Sequence, residues 1–276
     1  MRGEFYVAEP IVKNKKEILR VKTHIKGLDD QMQGGIPKGH ITLIAGSAGT
    51  MKSSVAFNIL YNETVQNKMT GLYISLEQSY SSIINHVINM DYDLTKINLV
   101  IIRELARLEE DIAKMKPGQG NLLIVDVGCI RKEIKDVKLE ENRSWLNVIK
   151  NVVKKIKAEK PVDLFVLDSL SALYVLSKFN NPRIELFYIF EFLRDLNITS
   201  FMITETPLDG LKIGEYDEDF LSDGIMYIRL NSYRRKQIRE ISILKMRTTS
   251  CNHDTFSLEF KNGAFYAEYG GQNPLM

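Results

Sequence analysis

The run His40-Ile41-Thr42-Leu43-Ile44-Ala45-Gly46-Ser47-Ala48-Gly49-Thr50-Met51-Lys52-Ser53-Ser54 constrains this chain more than any other segment. An apolar stretch of strand length passes into a glycine-containing loop, and Lys-Ser then opens a helical pattern. That layout gathers the loop's backbone N–H groups and the positive end of a helix dipole around one point, an arrangement that cradles phosphate oxygens. In the pattern G-x-x-x-x-G-K-[ST], Gly46, Lys52 and Ser53 fit, and Met51 stands where the second glycine belongs. Gly46, Ser47, Ala48, Gly49, Thr50, Met51, Lys52, Ser53 and Ser54 are therefore the candidate phosphate-binding residues. Lys52 would neutralise the terminal phosphates and Ser53 would hold Mg²⁺. A side chain at position 51 narrows the approach to phosphate, but a residue at a helix start fits if its φ is negative. Nucleotide binding is expected to survive, with slow turnover.

The rest of the chain alternates strand and helix patterns, as a parallel sheet covered on both faces requires. Strands are expected at 20–23, 41–45, 71–76, 97–102, 122–127, 162–167 and 199–204, with helices at 52–66, 79–90, 104–115, 141–160 and 183–195. From Ile225 the pattern turns antiparallel, over 225–230, 238–245, 255–260 and 264–269. Helix 141–160 carries an apolar stripe of Trp145, Ile149, Val152 and Ile156, with Lys150, Lys154, Lys157 and Lys160 off it, read as a solvated face. At 276 residues and 44% hydrophobic content the chain can bury a full core, and its net charge of +2 selects no class of partner. Two cysteines cannot build a disulfide framework, which points to a reducing cytosol. Met1-Arg2-Gly3-Glu4 lacks a signal-peptide core, and the longest apolar segment is too short and polar to span a bilayer, so a cytoplasmic chain without membrane insertion is expected.

Two apolar strands end in a carboxylate: Leu164-Phe165-Val166-Leu167-Asp168 and Leu122-Leu123-Ile124-Val125-Asp126. One such residue can act on Mg²⁺ beside the Ser53 hydroxyl. Asp168 is preferred, for its Ser-Leu-Ser continuation and its place after the long helix; Asp126 is an ordinary strand-terminal acid. Glu77, after the strand that follows the P-loop helix, stands where ligands meet open α/β sheets and could orient the water that attacks a γ-phosphate. Read alone, Glu77 is better explained as an acid favoured by the dipole of helix 79–90.

Further landmarks are Val21-Lys22-Thr23-His24-Ile25-Lys26-Gly27-Leu28-Asp29, Gly34-Gly35-Ile36-Pro37-Lys38-Gly39, Leu76-Glu77-Gln78, Leu167-Asp168-Ser169-Leu170-Ser171, Leu221-Ser222-Asp223-Gly224 and Lys245-Met246-Arg247. With the P-loop, in this order over about residues 20–269, they resemble the KaiC branch of the RecA-type ATPases, archaeal KaiC-like proteins in particular. The resemblance implies an α/β RecA-like core with a twisted, mostly parallel sheet, helices on both faces and an antiparallel C-terminal edge. It implies one domain over 20–276 behind an extension at 1–19, and Mg²⁺-dependent ATP binding with hydrolysis to ADP. Glu77 matches the first of the family's two catalytic glutamates; the second is Gln78 here. Lys245 and Arg247 match a pair that reaches the γ-phosphate on the neighbouring subunit of a ring, so the resemblance implies a homo-oligomer, with a hexamer among the ring sizes open to it; their plainer reading is a solvated strand end.

KaiC has two such domains, so clock function and autophosphorylation are not implied for a chain of this length. The different spacing to His253 leaves that residue without a role. A nucleotide-dependent scaffold with negligible turnover, resembling the archaellum accessory member of the family and serving an unidentified protein partner, is the alternative favoured by Met51 and Gln78. A recombinase-like DNA-repair ATPase is disfavoured, because no helix-hairpin-helix pattern precedes the core and the 206–219 loop carries Glu215, Asp217, Glu218 and Asp219. The basic tip Tyr233-Arg234-Arg235-Lys236, with Arg239, reads as a solvated hairpin end rather than a nucleic-acid contact.

Overall fold

The computed structural model describes residues 18–126, 128, 145–177, 179, 181–206, 212–233 and 235–269. Residues 1–17 of the expected extension, Val127, Cys129, residues 141–144 of the long helix, 207–211 of the acidic loop, Arg234 and residues 270–276 lie outside the described residues. In chain order the strands are β1 (Arg20–Val21), β2 (Ile25–Lys26), β3 (Ile36–Pro37), β4 (Ile41–Gly46), β5 (Thr70–Ser75), β6 (Asn98–Ile102), β7 (Asn121–Val125), β8 (Leu164–Asp168), β9 (Thr199–Glu205), β10 (Gly224–Tyr233), β11 (Lys236–Met246), β12 (Thr255–Lys261) and β13 (Ala264–Tyr269). The helices are α1 (Lys52–Asn67), α2 (Tyr80–Asn89), α3 (Leu108–Ala113), α4 (Trp145–Glu159), α5 (Leu170–Leu176), α6 (Pro182–Asp195) and α7 (Glu218–Leu221).

Among the described residues, eleven strands form one sheet in the order β2-β13-β12-β11-β10-β4-β9-β8-β5-β7-β6, and β1 pairs with β3 apart from it. From β10 to β6 every neighbouring pair is parallel. The expected antiparallel edge is β10 to β13. The central strands are buried on both faces, and their near-continuous Leu, Ile and Val content follows from that double coverage. One apolar cluster lies under α3, α4, α5 and α6, with Leu146, Ile149, Phe165 and Phe190 at its centre. The other lies under α1 and α2 and continues beneath the antiparallel strands, with Phe57, Tyr73, Ile83 and Phe256.

Local differences from the sequence reading have physical causes. The helix expected at 104–115 is a 3₁₀ turn, Leu105–Arg107, followed by the short α3, whose buried Leu108 and Ile112 make a single i,i+4 contact stripe. Thr23 does not extend β1; its N–H and hydroxyl both donate to Asp29 Oδ1, at 2.8 and 2.7 Å, and turn the chain. α5 was not anticipated; Ser169 caps it by accepting the Ala172 N–H. α1 is buried nearly all round rather than along one stripe, because strands and the β1–β3 ribbon enclose it. The lysine face of α4 is not simply solvated: Lys150 is half-buried, its Nζ 6.0 and 5.9 Å from the ring centres of Tyr188 and Phe192. No helix of the described residues is long and apolar enough to cross a membrane.

Candidate functional site

The order β4-β9-β8-β5 places four strand ends side by side at the C-terminal edge of the sheet, where open α/β sheets bind their ligands. The P-loop follows β4. Glu205 ends β9, Asp168 ends β8, and Glu77 lies just past β5.

The loop between Gly46 and α1 is held by two bonds to one carbonyl. Thr50 Oγ1 donates to Ser47 O at 2.8 Å, and Lys52 Nζ donates to the same oxygen at 2.9 Å. Gly46 is a packing requirement: a Cβ there would lie 2.1 Å from Ile228 O of β10. Gly49 has φ +80°, and a Cβ there would meet nothing within 4 Å, so the loop opens at that point. Met51 does not meet the condition of a negative φ; its φ is +73° and ψ +28°, the left-handed region. The loop must reverse between strand and helix at this residue, which is why glycine is the usual choice. Met51 pays the steric cost and packs its side chain against the apolar cluster of α1 and α2. No side chain caps the first turn of α1.

Ser53, Tyr73 and Asp168 line the same stretch of the cavity. The Tyr73 hydroxyl donates to Asp168 Oδ2 at 2.5 Å. Burial pushes the Asp168 carboxyl above the usual carboxylate range, against the pull of the hydrogen bond from Tyr73. Asp126 is elsewhere: β7 is separated from β8 by β5, and its carboxylate accepts the N–H groups of Tyr80 and Gly128 at 2.8 and 2.6 Å. Asp126 thus steadies the start of α2.

The Glu77 carboxylate is exposed toward the pocket and accepts the Ser169 hydroxyl. Lys52 is buried, 8% exposed. Its burial lowers the ammonium's pKa, and the nearby carboxylates of Glu205, Glu77 and Asp168 act in the opposite direction. These groups line one cavity of about 550 Å³, together with Gln78, Phe57, Ile83, His86 and Val87. At the far end His86 Nε2 and Ser54 Oγ are 2.9 Å apart.

Tyr73, Glu205 and His86 were missed. Glu205 carried a usable signal, since it ends an apolar strand as Asp168 does. Tyr73 and His86 carried none, because their roles depend on which elements become neighbours.

Lys245 and Arg247 are not brought to this chain's own P-loop. Lys245 pairs with Ile225, next to Gly224, which faces Thr42 at the opposite end of β4. Lys245 Nζ donates to Asp219 O and Ser222 O, both at 2.7 Å, and Arg247 pairs with Asp223 at 2.9 Å. The basic tip is a hairpin as read, yet Arg239 Nε donates to the P-loop carbonyl of Gly49 at 3.4 Å. In the acidic loop, Glu218 is fully buried and accepts the Tyr174 hydroxyl and the N–H groups of Glu215 and Tyr216, so it staples the loop rather than charging its surface.

Among the described residues no group of three His, Cys, Asp or Glu side chains could hold a metal ion. Ser53 and Asp168, beside a phosphate cradle, instead suit a Mg²⁺ ion whose remaining ligands are phosphate oxygens and water.

Sheet order, P-loop and strand-terminal carboxylate define a RecA-type P-loop domain of the nucleotide-binding ATPase class. A family model described as "ATPase: KaiC" matches residues 21–265, and the chain belongs to that family. A UPF0273 protein of Sulfurisphaera tokodaii is 28% identical over 238 residues, covering 84% of this chain and 76% of that protein. The circadian clock oscillator protein KaiC of Acaryochloris marina is 29% identical over 243 residues, covering 86% of this chain but 42% of that protein. The chain therefore matches less than half the length of that clock relative. The crystal structure of a KaiC-like protein from Pyrococcus horikoshii superposes with a TM-score of 0.68 at 21% identity, over 91% of this chain and 99% of that one, a likeness of fold.

Proposed function

We propose that this chain binds Mg-ATP at the P-loop and hydrolyses it slowly, within a homo-oligomeric ring. The observation that carries the reading is the convergence of Lys52, Ser53, Asp168 and Glu77 on one cavity from separate elements. The P-loop amides and Lys52 would bind the phosphates, and Ser53 and Asp168 would hold the ion. When bound, Mg²⁺ supplies charge neutralisation at the phosphate oxygens. Glu77, fixed by Ser169, orients the attacking water and accepts its proton. Lys245 and Arg247 face away from their own site and would serve a neighbour's. The reading places the protein in the cytoplasm.

A scaffold with negligible turnover is the second reading. The positive φ of Met51 and the single carboxylate beside Gln78 favour it. Isothermal titration with Mg-ATP tests the shared premise: the Lys52→Ala variant should lose binding or weaken severely, and wild-type affinity in that variant removes both readings. Turnover above the Lys52→Ala background then separates the enzyme from the scaffold.

A further inference from the structure

Tyr73 lies in the middle of β5, 1% exposed, under the start of α1. An apolar strand buried on both faces would be filled as well by phenylalanine; the ring already packs 6.4 Å from Phe57, centre to centre. The hydroxyl is the part that needs explaining, because a buried polar group is costly unless bonded. Its partner is Asp168, which lines the cavity together with Ser53, the other side chain suited to the metal. Other buried tyrosine hydroxyls serve local architecture: Tyr92 donates to Asn58 Oδ1 at 2.9 Å, and Tyr61 to the Asp93 carbonyl at 2.9 Å.

We infer that Tyr73 is the positioning residue of the metal site, pinning Oδ2 of Asp168 so that Oδ1 and the Ser53 hydroxyl remain for a divalent cation. Asp168 is 4% exposed, so water has little access to hold its carboxylate. Without the phenol, Oδ2 loses its donor and the group is free to turn. Hydrogen bonds to ligating carboxylates set ligand orientation in this way. The inference rests on the Mg-nucleotide reading and extends it to a residue with no contact to phosphate.

The test is a Mn²⁺ titration of the full chain with ADP, read by loss of the free-ion electron paramagnetic resonance signal. Tyr73→Phe should raise the Mn²⁺ dissociation constant by about 10-fold or more, while ADP affinity measured in EDTA stays at the wild-type value. Tyr92→Phe, which also removes one buried hydroxyl, should leave Mn²⁺ binding unchanged. Combining Tyr73→Phe with Asp168→Asn should add no further loss, because the phenol acts only through Asp168. Tyr73→Met, which fills the space with an adaptable side chain, provides a second hydroxyl-free variant and should reproduce the loss. Unchanged Mn²⁺ affinity in Tyr73→Phe, or an equal loss in Tyr92→Phe, overturns the inference. If wild-type protein holds no more Mn²⁺ with ADP than Lys52→Ala does, the nucleotide reading fails first and this inference with it.

Discussion

Ser169 and Glu77 stand just past the ends of neighbouring strands, and the Ser169 hydroxyl donates to the Glu77 carboxylate. The same Ser169 oxygen accepts the Ala172 N–H at 3.1 Å and so caps α5. A carboxylate exposed toward the pocket is thereby aimed by a hydroxyl that a helix start holds in place. Ser169→Ala should lower stability by about 1 kcal/mol through the lost cap. It should also lower kcat roughly 10-fold with KM little changed, the pattern for a group that matters only as the water attacks. Steady-state kinetics and a thermal melt check both parts. Lower stability with full kcat would show that Glu77 needs no such support.

Asp168→Asn should weaken Mg²⁺-dependent turnover severely, and Asp126→Asn should leave it near wild type. Asp168 accepts the Tyr73 hydroxyl and lines the cavity with Ser53, whereas Asp126 braces α2. Asp126→Asn therefore belongs in a melting experiment, with an expected cost of about 1 kcal/mol for a lost helix-start acceptor. A Mg²⁺-titrated ATPase assay ranks the two; the opposite ranking would move the metal site to β7.

The elements legible in the sequence are those written in local periodicity. The apolar strands expected at 41–45, 162–167 and 199–204 lie within a residue or two of β4, β8 and β9, and the stripe of Trp145, Ile149, Val152 and Ile156 faces the core as its spacing requires. What stayed hidden depends on which elements become neighbours. β9 lies between β4 and β8, which puts Glu205 opposite Lys52. Sheet order, which neither strand contains, sets Asp126 two strands away from Asp168. Glu218 reads as a surface acid because Tyr174, which buries it, is far away in the chain. The sign of φ at Met51 is fixed by the loop's reversal into α1, against the residue's own preference.

Acid should destabilise the protein in two stages through one cluster. Burial holds His40 below the usual imidazole range; Asp223 opposes this, and Arg20, Arg247 and Arg194 reinforce it. A folded pKa below the unfolded value gives stability that is present above about pH 6.5 and is lost as pH falls below it. Burial raises the Asp223 carboxyl, but the Ile41 N–H, Arg194 and His40 outweigh it and leave a lowered value. Its stability is present above about pH 3.9 and is lost as pH falls further, through the folded value. Denaturant unfolding across pH 7 to 3 should show a shallow loss followed by a steeper one, with His40→Gln removing the shallow part. A His40→Gln curve parallel to wild type between pH 7 and 5 would show that His40 does not contribute.

Lys245 and Arg247 should act on a neighbour's nucleotide. Each is tied to its own chain at the end of β11 away from the P-loop, Lys245 by the carbonyls of Asp219 and Ser222 and Arg247 by Asp223. Arg247 is exposed and Lys245 half-buried there; in a ring the two cations would offset charge developing on a phosphate held by the next copy. Lys245→Ala/Arg247→Ala protein should therefore be inactive alone. Mixed with Lys52→Ala protein it should regain partial activity, because some interfaces would join an intact P-loop to an intact Lys-Met-Arg strand. The double variant also loses hydrogen bonds to the turn around α7, so a melt must first show that it is folded. A labelled-subunit control must show that subunits exchange. Light scattering that finds only monomer at working concentration with Mg-ATP would end the proposal. Full activity in the folded double variant would do the same, leaving both cations as local ties that hold the turn between α7 and β10.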